Sequence, residues 1–174
     1  MEVAIIGEKT LRIKSKNSTV IIDPAKNINK IQADATIYTS LNGSLTGAKI
    51  EGSRIDIKGP GEYEIGGIKV EGIKVDGDLA VVLEVDGVKL LIGSGKEVKE
   101  IHDKIGAFHV AVINADSDFE YSSLTSLEPN ILIVYGNKRE DVKKFLGKTD
   151  IGKASKFSIT IDKLPQEMQM VLLE

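Results

Sequence analysis

An acidic stretch in the second half of the chain carries oxygen-bearing side chains at every second position: Asn114, Asp116, Asp118 and Glu120. This spacing is typical of loops that coordinate calcium through side-chain oxygens. The EF-hand pattern nevertheless fails, because Phe119 replaces its glycine and Thr125 replaces its bidentate glutamate. Two interpretations remain open: a weak divalent-cation site at Asp116 and Asp118, and a solvated acidic loop that caps a helix.

A glycine-rich turn, Gly93-Ser94-Gly95-Lys96, precedes a predicted helix. Backbone amides at such a turn can hold a phosphate group. The P-loop pattern is absent, since it needs four residues between its first glycine and the Gly-Lys pair, and Glu97 stands where it needs a hydroxyl. Phosphate or nucleotide binding therefore remains an alternative to a plain entry into a helix.

Histidine and cysteine are the scarcest chemical groups in this sequence. The chain has two histidines, His102 and His109, and no cysteine. Catalytic zinc needs three protein ligands drawn from histidine, cysteine or carboxylate, plus an open position for water. We therefore predict that no zinc is bound and that each histidine either has a structural role or lies on the surface. Glu62 and Glu64 share one face of a strand, but the sequence offers neither a partner for acid–base work.

The first half of the chain reads as strands. Short apolar or alternating runs predict strands at residues 3–6, 10–14, 19–22, 35–39, 54–58, 62–65, 68–75, 79–85 and 88–92. Asp76-Gly77 and Asp86-Gly87 are hairpin turns, so the last three strands should form an antiparallel meander. The second half alternates predicted helices at 96–105, 121–127 and 139–146 with strands at 109–113, 131–134, 157–161 and 168–173.

Composition limits the classes of protein that this chain can represent. Its 174 residues predict one domain, spanning 1–174. The net charge of -3 argues against nucleic-acid binding. No apolar run approaches the roughly 20 residues that span a bilayer, and the N-terminus has no signal-peptide pattern. We expect a cytoplasmic protein. A homo-oligomer is compatible with the sequence, and the sequence identifies no partner.

Several stretches together resemble one protein family. The most specific runs from Gly59-Pro60-Gly61 through Glu62-Tyr63-Glu64-Ile65 to the strand at 68–70, and others are Val20 to Pro24, Leu83 to Val88, Leu127-Glu128-Pro129 and Leu164-Pro165. In this order they resemble the small stand-alone hydrolase-like branch of the metallo-β-lactamase superfamily. The resemblance implies an α+β fold, a four-layer αββα sandwich of two mixed β-sheets flanked by helices, with its site at one edge.

The resemblance also implies where the metal ligands of that family would stand. Its H-x-H-x-D-H loop corresponds to Ser40, Asn42, Ser44 and Leu45, and a later histidine and bridging aspartate correspond to Leu91 and Ser94. The last histidine follows a strand that here ends at Tyr135, and Gly7-Glu8-Lys9 replaces a Gly-His-Ser near the N-terminus. The vestigial site is therefore expected at Ser40, Asn42, Ser44, Leu45, Leu91, Ser94 and Tyr135.

Serine, asparagine and leucine are poor zinc ligands or none, so the expected function is that of a pseudo-hydrolase. It would act as a binding or interaction domain, without catalysis and without a cofactor. The alternatives are a metal-dependent hydrolase with shifted oxygen ligands and a phosphate- or nucleotide-binding domain. At the vestigial site we expect collapse, with Leu45 touching Leu91, over a polar cleft edged by Asn42, Ser94 and Tyr135.

Overall fold

A computed structural model describes residues 1–7, 9–40, 50–116, 121–124, 126–147 and 152–174. Six strands of this part form the first sheet: β1 (Glu2–Ile5), β2 (Leu11–Lys14), β3 (Thr19–Ile22), β4 (Ala35–Ile37), β5 (Ile55–Ile57) and β13 (Lys156–Ser158). Their order is β13-β1-β2-β3-β4-β5. The β13-β1-β2-β3 pairs are antiparallel and the β3-β4-β5 pairs are parallel, so the sheet is mixed.

Eight described strands form the second sheet: β6 (Gly61–Ile65), β7 (Ile68–Val75), β8 (Asp78–Val85), β9 (Val88–Ser94), β10 (Val110–Asn114), β11 (Ile131–Tyr135), β12 (Gly152–Ala154) and β14 (Gln169–Leu173). Their order is β12-β14-β11-β10-β9-β8-β7-β6. The β9, β10, β11 and β14 strands run parallel to one another. Their carboxyl ends therefore meet at one edge of the sheet.

The antiparallel meander predicted from two Asp-Gly turns is confirmed in strands β7, β8 and β9. Asp76 and Gly77 have φ angles of 46° and 96°, and Asp86 and Gly87 have φ angles of 52° and 81°. Two successive left-handed residues are the hallmark of the type I′ turn, whose twist matches that of the flanking strands. The local sequence thus sets the register of this part of the sheet.

The core lies in two layers on either side of the second sheet. One face of each meander strand packs against the first sheet, as Leu83 and Leu90 show, and these residues are fully buried. The other face of the second sheet packs under α1 (Gly95–Ile101), which covers the meander, and under α2 (Arg139–Phe145), which covers β11; Val98 and Val142 are fully buried there. The outer face of the first sheet is covered by connecting segments around Ala33 and Ile50.

The two mixed sheets and flanking helices agree with the predicted α+β sandwich. Both described α-helices lie on the second sheet, and none of the described helices is long and apolar enough to span a membrane. The helix predicted at 96–105 ends at Ile101 and continues as turns. The predicted helix at 121–127 is a short 3₁₀ helix, Tyr121–Leu124.

Two predictions near the C-terminus need correction. The closing strand predicted at 157–161 is Lys156–Ser158, and the chain then forms a 3₁₀ helix at Ile161–Lys163. The edge strand Gly152–Ala154 was not predicted. Its three residues carry no alternation of apolar and polar side chains, and its place beside β14 depends on pairing with a distant segment.

Candidate functional site

A cleft of about 380 Å³ opens where the carboxyl ends of β9, β10 and β11 approach the end of β4. We call it the strand-end cleft. Its described polar lining comprises Lys9, Thr39, Ser40, Asp78, Ser94, Lys96, Glu97, Asn114, Asp116 and Tyr135. The two sheets are joined here, because Leu79 donates its backbone N–H to the Thr39 carbonyl at 2.6 Å and Ser40 bridges to Asp78.

Three of the seven predicted site positions line this cleft: Ser40, Ser94 and Tyr135. Leu91 does not, because it is fully buried on the face of β9 that packs under α1. Its neighbour Ile92 points the other way and borders the cleft, as the two-residue period of a strand requires. The other predicted positions, Asn42, Ser44 and Leu45, lie outside the described residues.

The described residues border a cleft at the place where the resemblance puts the site. Ser94 and Tyr135 border it, as in the second of the two expected outcomes. Leu91 packs with Val98 under α1. The expected contact between Leu45 and Leu91 stays a prediction, because Leu45 lies outside the described residues.

Asp23 lies beside the cleft and ties the segment that follows β3 to the segment that follows β4. Its carboxylate accepts a hydrogen bond from the Thr39 amide N–H at 2.8 Å and from the Thr39 hydroxyl at 2.5 Å. Burial raises the pKa of Asp23, the hydrogen bonds from Thr39 oppose this, and the nearby Asp78 carboxylate adds to the rise; the net shift is upward. The backbone of Asp23 is left-handed, with φ of 49°. The hydrogen bonds thus fix the position of this carboxyl group, while burial makes its charged form less favourable.

Lys9 and Asp116 form an ion pair at the mouth of the cleft. Burial opposes the charged form of Asp116, but the hydrogen bonds from Lys9 and from the Asn137 amide N–H outweigh it, so the pKa of Asp116 is lowered. The side chain of Lys9 is 55% exposed and that of Asp116 is 21% exposed. An aspartate proposed as a metal ligand is therefore already engaged by an ammonium group, and Asp118 lies outside the described residues.

Tyr135 is the most deeply buried polar residue of the cleft lining, at 3% exposure. Burial raises the pKa of its hydroxyl far above the ordinary value, and the carboxylates of Asp23, Asp116 and Glu97 reinforce the shift. Burial and these carboxylates therefore favour the neutral hydroxyl of Tyr135 over its phenolate. The neutral hydroxyl can donate or accept a hydrogen bond.

The glycine-rich turn at the start of α1 is occupied by the protein's own carboxylate. The amide N–H of Ser94 donates to the Glu97 side chain, which is buried and curls back over the helix start. The ammonium of Lys96 pairs with Asp76, with Nζ and Oδ2 2.7 Å apart. A phosphate would have to displace Glu97, so the geometry gives the phosphate-binding alternative no support.

The described residues do not fit the zinc ion that the sequence resemblance implies for its family. They contain no group of three histidine, cysteine or acidic side chains arranged to hold a metal ion. His109 lies at the opposite end of β10, roughly 16 Å along the strand from Asn114, and its Nδ1 accepts the Lys89 amide N–H at 2.9 Å. His102 caps α1 and contacts Asp103.

Glu62 and Glu64 also lie away from the strand-end cleft. They are exposed on the outer face of β6, beside Lys69 and Glu84 in an open depression of the second sheet. Lys69 and Glu84 pair with each other across β7 and β8, with Nζ and Oε1 3.2 Å apart. The geometry therefore gives no support to acid–base catalysis by Glu62 and Glu64.

Sequence reasoning missed Lys9 in the cleft lining and Asp23 beside the cleft. Asp23 was read only as the end of a strand, and Lys9 only as a substitution for a serine. The available signal for Asp23 was an acidic residue directly after a buried strand, where side chains often reach a site. No local signal pointed to Lys9, because its partner Asp116 lies far away in the sequence.

No family model matches the sequence, and no curated protein matches it significantly. Solved structures do. A protein from Thermotoga maritima assigned as a Zn-dependent hydrolase of the metallo-β-lactamase superfamily has a TM-score of 0.74 and 18% identity, covering 100% of this chain and 99% of that one. A protein from Parabacteroides distasonis assigned as a metal-dependent hydrolase has a TM-score of 0.62 and 13% identity, covering 99% and 93%.

A third solved structure belongs to a protein with a different activity. A variant of CmlA β-hydroxylase has a TM-score of 0.62 and 9% identity, and covers 92% of this chain and 54% of that one. Structures this distant in sequence share a fold, and a fold does not determine an activity. Together with the two mixed sheets and the cleft at the strand ends, these similarities show that the chain has the metallo-β-lactamase fold.

Proposed function

We propose that this chain is a non-catalytic member of the metallo-β-lactamase fold, which acts without zinc as a binding domain for a small polar molecule at the strand-end cleft. The observation that carries the proposal is the Lys9–Asp116 ion pair, which stands in a cleft lined by hydroxyl, amide and carboxylate groups. Catalysis by a metal would need several ligands converging on one point and an activated water. The described lining offers an ammonium group instead.

The chemistry of the lining also argues against a serine hydrolase. A serine nucleophile needs an adjacent general base, usually histidine. Ser40 and Ser94 line the cleft, whereas neither His102 nor His109 does. What the lining does provide is a set of hydrogen-bonding groups, among them Asn114, on rigid strand ends. Such a concave, pre-formed polar surface is suited to recognition of a small ligand.

Elemental analysis tests the zinc-free part of this proposal. We expect purified protein to contain far less than one zinc per chain after expression in zinc-supplemented medium. A second sample, exposed to excess Zn²⁺ and then desalted, is expected to release its zinc. Near-stoichiometric zinc that survives desalting would contradict the proposal and restore a metal-dependent activity as the leading alternative.

A ligand screen tests the binding part. The probes are mixtures of small polar metabolites added to ¹⁵N-labelled protein, with the amide signals of Ser40, Ser94 and Asn114 as reporters. Ser94→Leu places an aliphatic side chain in the cleft and should abolish any response, while Ser126→Leu, at an exposed turn outside the cleft lining, should retain it. Binding that persists in Ser94→Leu, or that moves only signals elsewhere, would contradict the proposed site.

A further inference from the structure

Two clefts meet at the Lys9–Asp116 ion pair. Lys9 lies in the turn between β1 and β2 of the first sheet, and Asp116 lies just beyond the end of β10 in the second sheet. Both residues line the strand-end cleft and also a neighbouring cleft of about 430 Å³ beside Gly136 and Arg139. The ion pair is therefore a partition between the two clefts and a direct link between the two sheets.

Negative charge accumulates around this partition. The carboxylates of Asp23, Asp78, Asp116 and Glu97 all lie in or beside the strand-end cleft, and three of them act on the Tyr135 hydroxyl. The other lysine of the lining, Lys96, is paired with Asp76, which is not among the described lining residues. Lys9, in contrast, opposes the rise in the pKa of Asp23 and helps to lower the pKa of Asp116. Grouped carboxylates in a partly buried site need a nearby cation to remain charged together.

We propose that the Lys9 ammonium group is the built-in cation of the strand-end cleft, which holds Asp116 in place and offsets the negative charge of the surrounding carboxylates. An ammonium group is a compact charge with three donors, and it needs no fixed coordination geometry. Lys9 is thus a positioning residue, acting through Asp116 rather than on a ligand. The inference rests on the zinc-free part of the proposed function.

Lys9→Met tests the proposal, because it keeps an unbranched side chain of similar length and removes the charge. Since more than half of the Lys9 side chain is exposed, the variant is expected to fold. Without the ammonium group, the pKa of Asp116 should rise, and that of Asp23 should rise further. The measurement is a pH titration of the carboxyl ¹³C signals of both aspartates in the two proteins.

Two matched variants separate this role from a general loss of positive charge. Lys9→Arg keeps the cation and should return the Asp116 midpoint towards its wild-type value. Lys96→Met removes the other lysine of the lining, whose partner is Asp76, and should leave the Asp116 midpoint unchanged. Identical Asp116 midpoints in wild type and Lys9→Met would overturn the proposal, as would an equal shift in Lys96→Met.

A thermal double-mutant cycle gives a second readout. Lys9→Met should lower Tm by up to about 2–4 °C, because an ion pair between partly exposed side chains adds little to the stability of a chain of this size. In an Asp116→Asn background the same substitution should have a clearly smaller effect. Additive effects would overturn the inference. Tightly bound zinc in the wild type would contradict the proposed function instead, so the two failures can be told apart.

Discussion

The space between the two sheets and the strand-end cleft bury opposite kinds of side chain. Between the sheets, the buried residues are almost all aliphatic, as with Leu83 and Leu90, which are fully buried. At the cleft, the chain instead withdraws Glu97 and Tyr135 from solvent and partly buries Asp23. Aliphatic burial stabilises the fold by about 1.5–3 kcal/mol per large side chain, whereas an unpartnered buried polar group costs ~1–3 kcal/mol.

The comparison indicates that aliphatic burial between the sheets stabilises the fold, whereas the buried polar groups at the cleft lower the stability unless they have partners. Three carboxylates at or beside the cleft have partners in the protein: Thr39 for Asp23, the Ser94 amide for Glu97, and Lys9 for Asp116. Such an arrangement is expected where a surface is shaped for recognition. Changes in the interior should therefore have large, uniform effects, and changes at the cleft smaller effects that depend on pH or on a single partner.

The largest effect is expected for Leu83→Ala, between the sheets. Removing a fully buried leucine side chain leaves a cavity and should lower the free energy of unfolding by about 2–5 kcal/mol. Urea unfolding followed by circular dichroism measures this. Ile161→Ala, at a residue that is 46% exposed, is the control and should change it by less than about 0.5 kcal/mol. Comparable losses in both would mean that the interior is not the main source of stability.

Gly136→Ala should have the next largest effect on stability, because Gly136 lies in the turn that directly follows β11 beside the cleft. Gly136 has a φ of 98°, and a Cβ there would stand 2.7 Å from Oδ1 of Asn114 and 2.8 Å from the Ala115 carbonyl oxygen. We expect a loss of about 1–3 kcal/mol in unfolding free energy.

Gly67→Ala is the matched control for this glycine. Its φ is 87°, but a Cβ would meet nothing within 4 Å, so only the backbone strain applies. The loss should be clearly smaller than for Gly136→Ala. An equal loss in the two variants would show that the crowding around Asn114 contributes nothing.

Asp23→Asn should change how stability depends on pH. Because the pKa of Asp23 is raised in the folded state, its proton stabilises the fold at low pH, and this contribution is lost as the pH rises from the ordinary value of 3.8 through the folded-state pKa. Asparagine tolerates the left-handed backbone and can still bond to Thr39. The Tm of the variant should therefore rise relative to wild type as the pH rises above the ordinary value of 3.8. A constant difference across this range would contradict the upward shift.

The smallest expected effect is that of a chelator. If Lys9 rather than a metal ion provides the cation at the cleft, EDTA should leave Tm unchanged within about 1 °C, because no folding energy comes from a bound ion. Differential scanning calorimetry with and without EDTA measures this. A drop of several degrees that added metal reverses would show that an ion does contribute.

The meander and the early strands were predictable because their signals are local. Asp76-Gly77 and Asp86-Gly87 demand left-handed residues that only a few side chains tolerate, and the strands at 19–22 and 68–75 have the predicted bounds. The position of the cleft was also partly predictable, since Ser40, Ser94 and Tyr135 each follow or end a strand. It was not predictable that Leu91 would face α1 instead of the cleft, because a single step along a strand exchanges its two faces.

By itself, the sequence determined the alternating strands, the hairpin turns and a supply of only two histidines and no cysteine, since each depends on residue type or on close neighbours. Tertiary structure alone decided that Lys9 would meet Asp116 and that Thr39 would hold Asp23. Those contacts join different strand ends, and nothing in either local sequence encodes the partner. The two sheets must first pack, driven by non-directional burial of their aliphatic faces, before these charges come within reach of one another.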